Sequence, residues 1–259
     1  MCELLAMSAN VPTDMVFSFT GLVERGGRTG PHIDGFGITF YSGLGSRTFK
    51  DVKPICDSEI AKFLKSYPIK STTVISHIRQ ANIGAVNLQN THPFTRELWG
   101  QNWTYAHNGQ LADFEEKFVN FRFQAVGNTD SEQAFCWILH KLIEHFDEQR
   151  PKDMQHVFQY VSQLAKEINQ LGIFNMMLTN GEFLMCFCST NLSYITRRAP
   201  FGEATLLDTE MAVDFNKETT ANDIVTVIAT KPLTDNENWH KLLPNQWCLF
   251  RSGELCLQG

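Results

Sequence analysis

Apolar positions along the chain recur with two periods, and the alternation between them outlines a fold. A spacing near 3.6 residues marks helices at Met15, Phe17, Phe19 and Leu22, over Ser58–Tyr67, and most clearly in two long segments. The first of these carries Phe135, Ile138, Leu139, Leu142 and Phe146; the second carries Val157, Val161, Leu164, Ile168 and Leu171. Strand-like runs occupy Cys2–Ser8, the stretch entering at Asp34-Gly35-Phe36-Gly37 and continuing to Tyr41, Ser46–Phe49, Thr72–Ile78 and Trp103–His107. From Ile173 onward the pattern is mostly β, with strands at Phe174–Leu178, Phe183–Phe187, Leu192–Thr196, Ala204–Leu207, Ile224–Ala229 and Gln246–Arg251. Asn180-Gly181 and Ser252-Gly253 between such runs predict hairpin turns. Asn10-Val11-Pro12-Thr13-Asp14 predicts a turn and a helix cap, and Gly26–Pro31 a loop. The order β, α, several β, two α, several β predicts sheets packed face to face with helices outside. No linker, low-complexity tract or fixed-period repeat interrupts it, so residues 1–259 are expected to form one domain.

Composition narrows the function classes. The chain has 259 residues, enough for a substantial core, and its 43% hydrophobic and 19% charged content is that of an ordinary soluble protein. A net charge of −6 argues against a nucleic-acid footprint, which needs clustered Lys and Arg. No apolar run is long enough to cross a bilayer, and Met1-Cys2-Glu3-Leu4-Leu5 lacks the basic flank and apolar core of an export signal. The expectation is a cytoplasmic protein with no membrane and no nucleic-acid partner. Seven cysteines, an odd and scattered set, fit reduced thiols better than a disulfide scaffold. Cys186 and Cys188 share one strand face, which points to packing; no histidine spacing matches a metal motif, so neither a metal nor a cofactor is expected.

The candidate chemistry starts at Cys2. If Met1 is removed, as a small second residue permits, Cys2 carries a thiol and a free α-amine on one carbon. A thiol of pKa about 8.5 needs a base beside it, and an α-amine of pKa about 7.7–8.0 can serve. The alternative is a small residue that starts a strand. Arg79, ending the apolar strand in Ser76-His77-Ile78-Arg79, can grip a carboxylate by two parallel hydrogen bonds or can be an ordinary ion-pair partner. Asn108-Gly109 offers a side-chain amide and a backbone N–H that can hold an oxyanion, yet Asn-Gly is also the commonest hairpin turn. In Gly127-Asn128-Thr129-Asp130-Ser131-Glu132, Asp130 can pair with an ammonium group or cap the following helix, and the two roles are compatible. Gly35-Phe36-Gly37 suits close backbone approach, while His32 and Asp34 read as loop hydrogen-bond partners.

These residues together resemble the class II glutamine amidotransferases of the N-terminal-nucleophile (Ntn) hydrolases, and the opening Met-Cys-Glu-Leu-Leu-Ala-Met-Ser-Ala-Asn resembles their stand-alone YafJ-like branch. The resemblance implies an α+β fold, a four-layer αββα sandwich of two antiparallel sheets flanked by helices. It implies Cys2 as nucleophile with its own α-amine as base, and Asn108 with Gly109 as oxyanion hole. Arg79 would hold the α-carboxylate of glutamine and Asp130 its α-ammonium, with Asn82 as a further substrate contact. Two departures matter. Relatives carry Arg-Trp-Ala-Thr-His where this chain has Arg79-Gln80-Ala81-Asn82-Ile83, so the indole that caps their ammonia route is missing. Two-domain relatives continue into a synthase domain that consumes the ammonia; none is expected here, which leaves two expectations: a separate ammonia-accepting subunit, or hydrolysis of glutamine or another γ-glutamyl compound as the whole reaction. The rival from another class is a non-catalytic subunit that binds glutamine or a partner.

Overall fold

Strand β1 (Glu3–Thr13) shows how the two-residue alternation is used: Leu4 and Ala6 enter a layer between two sheets, whereas Leu5, Met7 and Ala9 face helices. The protein is described by a computed structural model covering residues 2–81, 84–112, 122–215 and 219–259. In strand β4 (Ser71–Ile78), Ile75 joins the between-sheet layer while Val74 and Ile78 face helices; in β12 (Ile224–Ala229), Ile228 and the pair Val225, Val227 divide likewise. These strands lie side by side in a seven-stranded sheet of order β13-β9-β12-β1-β4-β2-β3. Its other members are β2 (Phe36–Ser42), β3 (Gly45–Asp51), β9 (Ser193–Arg198) and β13 (His240–Lys241).

The second sheet has six strands in the order β15-β14-β8-β7-β6-β5. They are β5 (Phe94–Leu98), β6 (Gln101–Leu111), β7 (Gly172–Thr179), β8 (Phe183–Phe187), β14 (Trp247–Arg251) and β15 (Glu254–Gln258). Every strand pair in both sheets is antiparallel. A small pair, β10 (Glu203–Thr205) with β11 (Ala212–Asp214), stands apart. Helices α1 (Val16–Arg25) and α2 (Glu59–Ser66) pack Phe19, Leu22, Ala61 and Leu64 onto the first sheet. Helices α3 (Asp130–Phe146) and α4 (Met154–Ile168) pack Phe135, Ile138, Val157 and Val161 onto the second. The result is the αββα sandwich anticipated from the sequence, and each large apolar side chain buried in its outer layers contributes ~1.5–3 kcal/mol. The middle layer mixes the small Ala6, Ala106, Cys186, Cys188 and Cys248 with larger side chains such as Leu4, Ile75, Met177, Leu184 and Phe250. Cys186 and Cys188 are thus packing residues on one face, and all seven thiols are free.

Three local outcomes follow from chain chemistry. Asn180-Gly181 is the β7–β8 turn: Gly181 has φ 89°, and Asn180 Oδ1 accepts the Phe183 N–H at 2.9 Å. Ser252 and Gly253, with φ 51° and 76°, form the β14–β15 turn. The expected turn at Asn10–Thr13 is a correction, whereas the helix cap expected from the same segment is partly met by Asp14. The strand continues to Thr13 through an irregularity between Ser8 and Thr13, and Asn10 bonds across to Asn222 and Ile224. Position Met15 supplies no side-chain cap to α1; Asp14 Oδ1 instead accepts the Val16 N–H at 3.1 Å. Among the described residues no helix is long and apolar enough to cross a membrane.

Candidate active site

The register of the first sheet sets up the site. Glu3 pairs with Ile78, so the next residues outward along the two antiparallel strands are Cys2 and Arg79. The β2–β4 ladder continues past its last strand residues, with the Arg79 N–H donating to Gly35 at 2.8 Å and the Asp34 N–H donating to the Arg79 carbonyl at 3.1 Å. Asp34 also accepts the Ala81 N–H at 2.8 Å, the loop role expected for it. Cys2 Sγ accepts the Gln80 N–H at 3.3 Å. Burial pushes the Cys2 thiol up; the Gln80 N–H and the Arg79 charge oppose that shift, and Asp34 adds to it. A thiol so placed is protonated at neutral pH and needs a base to become a nucleophile.

Arg79 is buried, and its guanidinium donates to the carbonyls of Ala85 at 3.0 Å and Gly84 at 3.3 Å. Burial lowers its pKa, with Cys2 and Asp34 acting the other way. The loop it leans on is fixed by Asn90, fully buried, whose Nδ2 donates to Ala85 at 3.0 Å and to Asn128 Oδ1 at 2.7 Å. Asn90 Oδ1 accepts the Asn128 N–H at 3.0 Å, tying the Arg79 loop to the one that opens α3. Sequence reasoning missed Asn90, since one asparagine in a polar loop carries no spacing signal.

The second sheet supplies Asn108 and Gly109. Both lie inside β6, paired with Asn175 and Phe174 of β7, so this Asn-Gly is strand and not turn. A Cβ on Gly109 would overlap the Ile173 carbonyl, which explains glycine there. Asn108 is held by its carbonyl, which accepts from Asn175 Nδ2 at 3.0 Å, while its Oδ1 is buried with no hydrogen-bond partner among the described residues. Asp130 is the first residue of α3, but the cap is Thr129, whose side chain accepts the Glu132 N–H. The Asp130 carboxylate accepts the Leu111 N–H at 2.8 Å on Oδ2 and the Ser131 N–H at 2.7 Å on Oδ1.

One pocket gathers these parts: Cys2, Arg79, Gly109 and Asp130 line it, together with Gln80, Ala81, His92, His107, Gln110, Thr129 and Ser131. Asn108 is adjacent to Gly109 and is not itself among the lining residues. Asn82, expected as a substrate contact, lies outside the described residues. His92 and His107 were not anticipated as pocket residues. They arrive through packing: His92 lies tilted against His77 with ring centroids 4.3 Å apart, and His107 bonds Ser131 and Ile173. Neither nitrogen of His92 has a hydrogen-bond partner among the described residues, while the His107 backbone lies against the His77 ring. Burial lowers both rings, His77 to about 3 and His92 well below the imidazole range; His107 adds to both shifts, and His77 to that of His92. The arrangement offers a half-buried thiol, a guanidinium, a carboxylate and backbone donors to a single small molecule bearing charges of both signs. Among the described residues no group of three or more His, Cys, Asp or Glu is placed to hold a metal.

Comparison with known proteins places the chain among named relatives. The chain is 61% identical over 254 residues to the provisionally named glutamine amidotransferase YafJ of Escherichia coli K12, covering 98% of this chain and 99% of that protein. A solved structure of a predicted glutamine amidotransferase from Pseudomonas aeruginosa is 48% identical and superposes with a TM-score of 0.79, covering 99% of this chain and all of that one. The glutamine phosphoribosylpyrophosphate amidotransferase of Bacillus subtilis shares the fold at 12% identity, with a TM-score of 0.64 over 100% of this chain and 49% of that one. The sequence pattern of the class-II glutamine amidotransferases matches residues 1–259, and this chain belongs to that family.

Proposed function

We propose that this protein is an amidohydrolase of the glutaminase type, in which Cys2 attacks the side-chain amide of glutamine. The observation that carries the reading is the convergence of Cys2, Arg79, Gly109 and Asp130, from two sheets and a helix, on one pocket. With Met1 removed, the α-amine of Cys2 takes the Sγ proton as sulfur adds to the γ-carboxamide carbon. The Asn108 amide and the Gly109 N–H steady the developing oxyanion, each such donor being worth about 3–4 kcal/mol where removal has been measured. The Cys2 ammonium returns its proton to the departing nitrogen, the C–N bond breaks, and ammonia leaves a γ-glutamyl thioester. Water then adds with the same amine as base, the C–S bond breaks, and glutamate and the thiol are restored. Arg79 grips the α-carboxylate by charge-assisted bonds and Asp130 the α-ammonium, so the scissile amide is presented to sulfur in one orientation.

The test is intact-mass measurement before and after treatment with a diazo-ketone analogue of glutamine. The expected result is loss of Met1 and one covalent adduct at Cys2, absent in Cys2→Ala, which keeps a native circular dichroism spectrum. Retained Met1 with no adduct refutes the reading. Hydrolysis rates for glutamine and for γ-glutamyl peptides such as glutathione then fix the leaving group, and a clear preference for a peptide replaces glutamine as the substrate.

A further inference from the structure

Ser131 Oγ lies 3.2 Å from Asp130 Oδ1 and 2.8 Å from His107 Nδ1, and one hydroxyl proton has to serve one contact or the other. The imidazole decides which. His107 Nε2 stands 3.0 Å from the Ile173 carbonyl, a group that only accepts, so Nε2 carries the ring N–H. Burial holds the ring below its ordinary range, against the pull of Asp130 and the Ile173 carbonyl, so at neutral pH Nδ1 is bare. Ser131 therefore donates to Nδ1, and its remaining lone pairs are left beside the carboxylate.

Two oxygens facing each other without a proton between them repel. A donor group placed against both turns that repulsion into a pair of hydrogen bonds. The carboxylate needs no side-chain donor to stay in place, because the backbone N–H groups of Leu111 and Ser131 each hold one of its oxygens. Asp130 and Ser131 both line the pocket that contains Cys2 and Arg79. The group that matches a carboxylate oxygen and a hydroxyl oxygen side by side carries positive charge and more than one N–H.

We propose that Asp130 Oδ1 and Ser131 Oγ form a two-oxygen seat for a primary ammonium group, and that His107 is the positioning residue that keeps the serine proton out of it. The seat rests on the reading of the pocket as a glutamyl site and sharpens it. Recognition falls to a pair of oxygens, so the site selects γ-glutamyl amides with a free α-amine over deaminated or N-acylated ones.

The experiment follows alkylation of Cys2 by the diazo-ketone analogue of glutamine and by its counterpart lacking the α-amino group, on protein whose mass confirms Met1 removal. Ser131→Ala is expected to raise the half-saturating concentration of the amino-bearing reagent about tenfold, the scale of one charge-assisted hydrogen bond. The maximal rate should stay within about twofold and the deaminated reagent should be unaffected, since only the seat is altered. Ser131→Thr, which keeps the hydroxyl, should behave as wild type. His107→Leu should reproduce the Ser131→Ala effect, and His107→Asn, whose side-chain oxygen can replace Nδ1 as acceptor, should restore selectivity. Ser131→Ala acting equally on both reagents, or on neither, overturns the seat. Asp130→Ala separates the two readings: if it removes the preference for the amino-bearing reagent while Ser131→Ala does not, only the seat fails. If Asp130→Ala leaves that preference intact, the glutamyl reading of the pocket fails with it.

Discussion

Acidification from pH 7 to pH 5 should destabilise this protein through His77, and the size of the effect comes from its surroundings. The ring is fully buried and lies tilted against the His92 ring, their centroids 4.3 Å apart. Burial lowers its pKa to about 3, with His107, Arg79 and His32 adding to the shift and a backbone hydrogen bond from His107 opposing it. The unfolded chain binds a proton at about pH 6.5, which the native state refuses. Stability from this group is therefore complete above pH 6.5 and is lost as the pH falls toward the native value. At pH 5 roughly 1.5 pH units have been crossed, at ~1.4 kcal/mol each, so His77 alone accounts for about 2 kcal/mol of lost stability. His92 and His107 are displaced in the same direction and add to the loss. The assay is urea unfolding at pH 7, 6 and 5, comparing wild type with His77→Phe, whose phenyl ring keeps the contact with His92 without titrating. The variant should lose about 2 kcal/mol less over this range. Equal losses in the two proteins would refute the reasoning, because carboxylates contribute to both alike.

Two further substitutions probe the supports of the pocket. Gly109→Ala forces a Cβ into the Ile173 carbonyl and toward His107, so the β6–β7 ladder must part; a cost of about 3 kcal/mol is expected, read as a lowered Tm. Asn90→Ala removes the bonds to Ala85 and Asn128, each worth ~0.5–1.5 kcal/mol, and frees the carbonyls that receive Arg79. Denaturation should show a loss of about 2–3 kcal/mol, and glutamine KM should rise more than kcat falls.

The sandwich was legible because its layers impose their periods on the chain. Leu4 against Leu5 in β1, and Phe135 against Ile138 in α3, announce opposite or common faces by spacing alone. The two Asn-Gly pairs could be told apart by the residues after them: an apolar run completes the hairpin after Gly181, while Gln110-Leu111 carries β6 onward. Strand β5 was not visible, since Thr95-Arg96-Glu97 on a sheet edge shows little apolar alternation; the Arg96–Glu132 ion pair explains the polar choice. Asn10 and Pro12 punctuate the sequence as a turn does, but cross-strand bonds from Asn10 keep the segment extended. Cys2, Arg79, Asn108, Gly109 and Asp130 were singled out in the sequence as a set, through the family resemblance, and four of the five line one pocket. His92, Ser131 and Asn90 were not, because their roles depend on neighbours distant in sequence.

The small residues of the middle layer set the gauge between the two halves of the pocket. Cys2 and Arg79 ride on one sheet, Gly109 on the other, and Ala6 and Ala106 sit where the sheets meet. A substitution such as Ala106→Val would act like a shim, spreading the sheets and lengthening the reach from Cys2 to Gly109, the proposed oxyanion donor, without altering any residue that lines the pocket. Searches for variants with changed turnover should then return alanine and cysteine positions deep in the core, where inspection of the pocket alone would never look.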